Sequence, residues 1–159
     1  MPNNITTRIT LKPSGATTPE CVALLKEVRK AIYNDKKKVD FSILVPAPKT
    51  EEYESGGWYN WNCTNWGTKW NAYATTEDTP DDIVEFESAW STPQAWIDVL
   101  VRRFPNMHFK VEYADEDLGH NYGHFEFFKG MSKDSTNAIE DPTQWAENLK
   151  YGPKPWSEK

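Results

Sequence analysis

The chain has 159 residues, of which 38% are hydrophobic, 14% aromatic and 26% charged, with a formal net charge of −6. This length and composition suit one globular domain with an aromatic-rich core. The acidic balance argues against non-specific binding to duplex nucleic acid, which requires Lys and Arg to neutralise phosphates. We recognise no secretory signal and no apolar run of membrane-spanning length. We therefore expect a cytoplasmic protein, with no membrane association, whose Cys21 and Cys63 are reduced, buried thiols.

The amino-terminal part has the pattern of a strand–helix–strand unit. Apolar and polar residues alternate over residues 5–11, which is typical of a half-buried strand. Residues 17–20, Thr-Thr-Pro-Glu, combine a hydroxyl cap, an early proline and a glutamate three residues after the cap, a pattern that begins helices. Apolar residues then recur at helical spacing to about residue 34. A second alternating stretch predicts a strand over residues 39–45.

A second unit of the same kind follows later in the chain. Residues 84–90 alternate as a strand, Ser-Thr-Pro-Gln at 91–94 predicts a helix start, and residues 107–113 alternate again. Two such units predict an α+β fold. The expected arrangement is a ferredoxin-like split βαβ sandwich, in which an antiparallel sheet carries two helices on one face.

A Trp-rich insertion at about residues 46–81 joins the two units. We expect a helix over residues 58–66, ended by Gly67, and a hairpin between residues 70–74 and the strand that follows. A last strand is predicted at 122–129. The expected organisation is a single domain over residues 1–130, containing the insertion, and a C-terminal extension over 131–159 with a short helix.

The insertion contains four tryptophans within thirteen residues, Trp58, Trp61, Trp66 and Trp70. They can form a structural plug at the edge of the sheet, or they can anchor a protein interface, since Trp and Tyr dominate interface hot spots. Base stacking on single-stranded nucleic acid is a third interpretation, but the Trp-rich run over residues 58–70 has a single basic residue, Lys69. The candidate anchors for a partner protein are Trp58, Tyr59 and Trp61.

An acidic stretch without Lys or Arg, residues 77–87, spans the end of the insertion and the start of the next strand. It can be a solvated turn with a polar strand face, or a negative strip that steers the chain towards a basic groove on a partner. The candidate steering residues are Glu77, Asp78, Asp81, Asp82, Glu85 and Glu87.

Catalytic signatures are missing from the sequence. It contains no Gly-rich phosphate loop, no Gly-x-Ser-x-Gly, no His-Glu-x-x-His and no Cys-x-x-Cys. His120 and His124 are four residues apart, but on a predicted turn and strand rather than on one helical face. A zinc-dependent or cysteine enzyme is the alternative that these residues leave open. We expect no enzymatic activity, no catalytic residues, no metal and no cofactor.

The polar face of the predicted sheet suggests an alternative function. Single-strand RNA readers of this architecture stack bases on aromatic side chains of an open sheet face. The residues that would serve here are Arg8, Lys110, Tyr122 and His124. The glycine-aromatic RNA motif is absent, and the acidic balance argues against this class of partner.

Three strings occur in order along the chain: Asn-Trp-Gly-Thr-Lys-Trp-Asn-Ala at 65–72, Ala-Trp-Ser-Thr-Pro at 89–93 and Tyr-Gly-His-Phe at 122–125. With them, residues 60–128 resemble the YubB-type family of phage and conjugative-plasmid proteins. The resemblance implies a ferredoxin-like domain and a cytoplasmic life in a bacterial host, and it implies no activity. By analogy with small acidic phage proteins, we expect a non-enzymatic accessory protein that binds and inhibits a host protein or defence complex.

Overall fold

A computed structural model describes residues 3–15 and 17–156. Its strands are β1 (Asn4–Pro13), β2 (Ile83–Ala89), β3 (Met107–Asp115), β4 (Tyr122–Phe128) and β5 (Met131–Asp134). They form one five-stranded sheet in the order β2-β1-β3-β4-β5, and every neighbouring pair is antiparallel.

The α-helices are α1 (Thr18–Ile32), α2 (Phe41–Leu44), α3 (Trp58–Asn65), α4 (Gln94–Arg103) and α5 (Pro142–Tyr151). A π-helical turn, Tyr53–Gly57, precedes α3, and a 3-10 turn, Thr136–Ala138, follows β5. Within the described residues, no helix is both long and apolar enough to cross a membrane.

Helices α1 and α4 pack on one face of the sheet, as the sequence predicts. Val28 and Ile32 of α1 and Leu100 of α4 are fully buried in one apolar cluster with Ile9 and Val84 of the sheet. Ile9 and Val84 are direct cross-strand partners, so they lie on the same face. With the antiparallel sheet, this confirms the α+β, ferredoxin-like fold class.

The start of α1 also agrees with its sequence pattern. The side chain of Thr17 accepts a hydrogen bond from the backbone N–H of Glu20, 3.3 Å away, and Pro19 lies in the first turn. These contacts satisfy a donor that the helix leaves without an internal partner.

The strand predicted over residues 39–45 is wrong, because this segment contains the short helix α2. The carboxylate of Asp40 accepts a hydrogen bond from the N–H of Ser42 and begins the helix. Phe41 and Leu44, three residues apart, then share a buried helical face, while Ile43 is 40% exposed. Alternation over so few residues could not distinguish the two-residue period of a strand from the 3.6-residue period of a helix.

Part of the insertion, rather than a strand over residues 39–45, covers the outer edge of β2. Tyr73 exchanges two backbone hydrogen bonds with Glu87, of 3.0 and 2.9 Å, and Thr76 N donates to Glu85 O at 2.8 Å. The predicted hairpin therefore exists as a short bridge around Tyr73. It covers an edge that would otherwise present unpaired backbone groups.

The second face of the sheet is partly covered, because α5 lies across β1 and β3. Ala146 and Leu149 pack against Ala114 of β3. The ammonium group of Lys150 donates to Thr6 Oγ1 at 2.9 Å and to Asn4 O at 3.2 Å. The sequence predicted a short helix in this region, but it did not predict where the helix packs.

Candidate functional site

The tryptophans of the insertion divide into an inner and an outer group. Trp66 is buried, its indole N–H donates to Val45 O at 2.9 Å, and its ring contacts Phe41 in the core. Trp61 is half-buried between Trp66 and Tyr53, with ring centroids 5.4 and 5.7 Å away. Of the three predicted anchors, Trp61 therefore serves mainly to pack the insertion against the core.

The outer group forms a continuous exposed surface, which we call the aromatic patch. Tyr59 lies between Trp58 and Trp90, with ring centroids 5.9 and 6.5 Å away. The ammonium nitrogen of Lys69 lies 4.4 Å from the ring centroids of both Trp70 and Trp90 and so links these two rings. Tyr59, Trp70 and Trp90 are 40%, 38% and 46% exposed, and Trp58 is half-buried. The aromatic patch consists of Trp58, Tyr59, Lys69, Trp70 and Trp90.

Trp90 has an unusual backbone conformation that turns its side chain outward. Its φ is +68°, in the left-handed region, which costs a residue with a side chain about 1–2 kcal/mol. Its N–H donates to Asn3 O, and its carbonyl accepts from Asn121 Nδ2, both at 2.9 Å. Alternation along β2 predicted Trp90 as a strand residue, but the strand ends at Ala89. Strain that neighbouring contacts maintain is found most often at functional positions.

Buried hydrogen bonds support the patch from beneath. Thr68 is 1% exposed, and its hydroxyl donates to Ala89 O at 2.6 Å. Ser91 Oγ donates to Gly67 O at 2.6 Å, and Asn62 Nδ2 donates to Lys69 O at 2.9 Å. The first two bonds fix the backbone just before Lys69 to the end of β2, and the third ties Lys69 itself to α3, so this part of the patch is held in place before any partner binds.

Gly67 makes the close contact between the insertion and α4 feasible. Its φ is +88°, and a Cβ at this position would lie 2.9 Å from the backbone nitrogens of Gln94 and Ala95. Only glycine adopts this left-handed backbone conformation readily and has no Cβ, for which there is no room here. The sequence predicted Gly67 as the end of the helix over 58–66, which α3 confirms to within a residue.

A shallow groove of about 410 Å³ adjoins the patch. Both Trp58 and Trp70 line it, so it continues the aromatic surface towards α2 and the π-helical turn. Its polar lining residues are Ser42, Glu54, Asn62 and Asn71. Ser42 and Glu54 therefore add polar groups beside the exposed rings, whereas the amides of Asn62 and Asn71 are used in internal hydrogen bonds.

The loop after β3 brings acidic residues to the end of the sheet at which Trp90 lies. Asn121, which holds the carbonyl of Trp90, also donates to the buried Asp115 carboxylate at 3.3 Å. Glu116 and Asp117 follow Asp115 in the same loop and are exposed. Glu116 Oε1 accepts from Asn4 N at 3.0 Å, which places its carboxylate at this end of the sheet.

The titration of Tyr73 reflects its burial and these carboxylates. Burial, followed by the negative charges of Glu87 and Glu116, raises the pKa of Tyr73 to about 12. The hydroxyl of Tyr73 donates to Asn4 Oδ1, so the neutral phenol also has a partner here. The ammonium group of Lys150, which donates to Asn4 O, lies among the same carboxylates: burial lowers its pKa, and the charges of Glu87, Glu116 and Asp115 oppose that shift.

The predicted acidic strip lies at the other end of β2. Glu77, Asp78, Asp81 and Asp82 are exposed in the turn before the strand, about 20 Å from Trp90 by the length of the strand. Cations of the amino-terminal unit lie beside this turn. Lys38 pairs with Glu77 at 2.9 Å and holds its pKa below the usual range, and Arg29 donates to Asp81 O at 3.1 Å.

The remaining two acids of the strip are not free surface charges. Glu85 is 3% exposed and pairs with Arg8 and with Lys154, both at 2.9 Å. Glu87 is half-buried on the strand edge that Tyr73 covers. The structure therefore separates the predicted acidic and aromatic residues into two surfaces.

The residues predicted for nucleic-acid binding lie on the face that α5 partly covers. Arg8 is 7% exposed and is committed to its ion pair with Glu85. The rings of Tyr122 and His124 lie 6.1 and 6.4 Å from Trp145 of α5. Lys110 is half-buried beside Glu112, with 3.7 Å between the charged atoms. These four side chains do not form an open basic surface.

Metal-binding and thiol groups are dispersed in the described part of the chain. There, no group of three or more His, Cys, Asp or Glu residues could hold a metal ion. His120 lies 3.5 Å from Asp117 on an exposed turn, whereas His124 packs against Trp145. Both cysteines are free thiols, but the predicted burial is wrong, because Cys21 is only half-buried and Cys63 is exposed.

Sequence reasoning missed Lys69, Trp70 and Trp90 as members of one site. Trp70 and Trp90 are twenty residues apart, and the conformation of Trp90 follows from its contacts with Asn3 and Asn121. The available signal was the high number of large aromatic residues on both sides of the acidic stretch. It does not indicate which rings face solvent.

Comparison with known proteins identifies a family. No curated protein and no solved structure matches the chain. A family model described as "Ferredoxin-like domain in Api92-like protein" matches residues 69–150, about half of the chain. The match includes Lys69, Trp70 and Trp90, and it extends through most of α5, beyond the region of the sequence resemblance. The chain therefore belongs to the family of ferredoxin-like domains in Api92-like proteins.

Proposed function

We propose that this protein is a non-enzymatic binding protein whose aromatic patch docks a partner protein. The observation that carries the proposal is the exposure of Tyr59, Trp70 and Trp90 in one continuous surface. Large aromatic side chains are costly to leave in water, and they dominate the energetics of protein interfaces. Contiguous exposed apolar surface of this kind marks interaction sites.

Rigidity of the patch supports the same function. The hydrogen bonds of Thr68, Ser91 and Asn121 fix the backbone next to the exposed rings. A partner that binds a preorganised surface loses less conformational entropy, so more of the contact energy appears as affinity. A plug that only completed the core would not leave Trp90 46% exposed.

The resemblance to YubB-type proteins extends the proposal to a biological role. In this role the protein is an accessory factor of a phage or conjugative plasmid. It acts in the cytoplasm of a bacterial host, where it binds and inhibits a host protein or defence complex. The exposed acids of the turn before β2 then act as secondary steering charges, and the aromatic patch is the anchor.

A pair of matched variants tests the docking surface. Trp90→Gly removes the exposed ring, and glycine suits the φ of +68°. Tyr151→Ala removes a side chain that is 65% exposed on α5, outside the patch, and serves as the control. Proteins captured from host lysate by immobilised wild type and variants are quantified by mass spectrometry. The partner is then purified for titration.

We expect Trp90→Gly to weaken partner binding by roughly thirtyfold, the effect of a hot-spot truncation. Tyr151→Ala should change the dissociation constant by less than about twofold, as surface positions outside an interface do. A purified partner that binds both variants as tightly as the wild type would show that docking occurs elsewhere.

A further inference from the structure

The aromatic patch already contains a cation, which is the chain's own Lys69. Its ammonium nitrogen lies 4.4 Å from the centroid of Trp70 and 4.4 Å from that of Trp90. A cation within about 6 Å of an indole face is attracted by the negative face of the ring. The ammonium group of Lys69 therefore makes cation–π contacts with both Trp70 and Trp90.

Lys69 is anchored at its backbone rather than at its charged end. Asn62 is 3% exposed, and its Nδ2 donates to Lys69 O, while its Oδ1 accepts from the hydroxyl of Tyr53. The side chain beyond this anchor is a flexible four-carbon stem. Since the adjoining rings of Trp70 and Trp90 are 38% and 46% exposed, another cation can approach their faces when the stem moves away.

Exposed carboxylates in the loop next to Trp90 favour a positively charged ligand. The carboxylates of Glu116 and Asp117 are exposed in the loop whose Asn121 holds Trp90. Complementary charge at the rim of an interface raises the association rate and disfavours partners of the wrong sign. The same carboxylates repel a phosphate backbone, although tryptophans beside a lysine are otherwise suited to stacked bases.

We propose that the aromatic patch is a cation cage for a guanidinium or ammonium group on a basic segment of the partner protein, and that Lys69 is the internal occupant which this group displaces. The inference rests on the proposed function and specifies the chemistry of the partner. Lys69 shields the rings in the free protein, and the incoming cation takes over its two cation–π contacts. The carboxylates of Glu116 and Asp117 attract the flanking basic residues of the segment.

The test uses the full chain and a synthetic peptide of alternating arginine and glycine. A peptide with citrulline in place of arginine is the neutral control, because it keeps the shape of the side chain and removes the charge. Binding is measured by the change in tryptophan fluorescence for wild type, Lys69→Ala, Lys69→Arg and Trp90→Gly. Near-ultraviolet circular dichroism verifies that each variant is folded.

We expect Lys69→Ala to bind the arginine peptide roughly three- to tenfold more tightly than wild type, because the peptide no longer competes with an internal cation. Lys69→Arg should bind it like wild type, and Trp90→Gly should bind it at least about tenfold more weakly than wild type. The citrulline peptide should not bind measurably to any variant. Unchanged or weaker binding of the arginine peptide by Lys69→Ala would overturn the cage.

A single-stranded oligothymidylate, titrated against the same variants, tests the opposite ligand chemistry. If Lys69 contacted phosphate, Lys69→Ala would weaken binding of the oligonucleotide, and this result would also overturn the cage. The proposed function has a separate readout in the capture experiment. A host partner that requires Trp90 but is indifferent to Lys69 would reject the cage and leave the docking function intact.

Discussion

The two ends of strand β2 present opposite kinds of surface. At its start, Asp81 and Asp82 lie in an exposed turn that Arg29 and Lys38 partly neutralise. At its end, Trp90 leaves the strand in a left-handed conformation and joins an aromatic surface that buried hydrogen bonds support. The first end is solvated and adaptable, whereas the second is rigid and apolar. A rigid apolar end is suited to provide affinity, and a solvated charged end can at most influence the rate of encounter.

The largest expected effect concerns the buried support of the aromatic end. Trp66→Ala removes a 3%-exposed ring that contacts Phe41 and Trp61, so we expect a loss of about 3–5 kcal/mol of unfolding free energy. Trp70→Ala, four residues away and exposed, should cost less than about 1 kcal/mol. Urea denaturation followed by circular dichroism measures both. Equal losses of unfolding free energy would show that the buried Trp66 and the exposed Trp70 contribute equally to stability.

A smaller effect compares the charges at the two ends. Glu116→Gln with Asp117→Asn neutralises two carboxylates near Trp90, and Asp81→Asn with Asp82→Asn neutralises two at the other end. We expect the first pair to slow association with the purified partner by roughly three- to tenfold at low salt, and the second by less than about twofold. Stopped-flow measurements over a range of salt concentrations provide the rates. The reverse order would assign the steering role to the turn before β2, as the sequence predicted.

A pH-dependent effect tests the environment of Tyr73 at the aromatic end. An unfolded tyrosine loses its proton near pH 10, but the folded pKa of Tyr73 is about 12. Between these values the folded state holds a proton that the unfolded state has lost, so the stability contributed by Tyr73 falls as pH rises. The wild type should therefore lose stability more steeply than Tyr73→Phe over this window.

Urea denaturation at intervals between pH 9 and about pH 12 measures that difference, because the other titrating groups are common to both proteins. Parallel curves for wild type and Tyr73→Phe would mean that Tyr73 is not protected from ionisation. Glu87→Gln should bring the two curves closer together, since Glu87 is one of the charges that raise the pKa of Tyr73.

Much of the fold could be predicted because its signals are local. The cap at Thr17, the stop at Gly67 and the existence of β1 each depend on a few neighbouring residues. The prediction that β1 is only half-buried is wrong, because α5 also buries Thr6 and Arg8 on the second face. Residues 39–45 show the limit of this reasoning. Their alternation was too short to distinguish a strand from the single helical turn that Asp40 begins.

The candidate site could be predicted only in outline. Aromatic and acidic residues were both identified, but their exposure depends on pairing across the sheet. Arg8 and Glu85 are direct partners in β1 and β2, so two residues with predicted surface roles form a buried ion pair. These two residues are 77 positions apart in the sequence. The register in which such distant strands pair cannot be read from any local sequence pattern.

Sequence alone determined the class of molecule: an acidic, aromatic-rich α+β domain with two helices against an antiparallel sheet. Composition and short periodic patterns were sufficient for this, because they reflect burial and capping within each element. Tertiary structure alone decided that α5 covers part of the second sheet face, that Trp66 is buried, and that Trp90 faces solvent beside Lys69. The physical reason is that solvent exposure is set by contacts between distant segments, and those contacts exist only once the chain has folded.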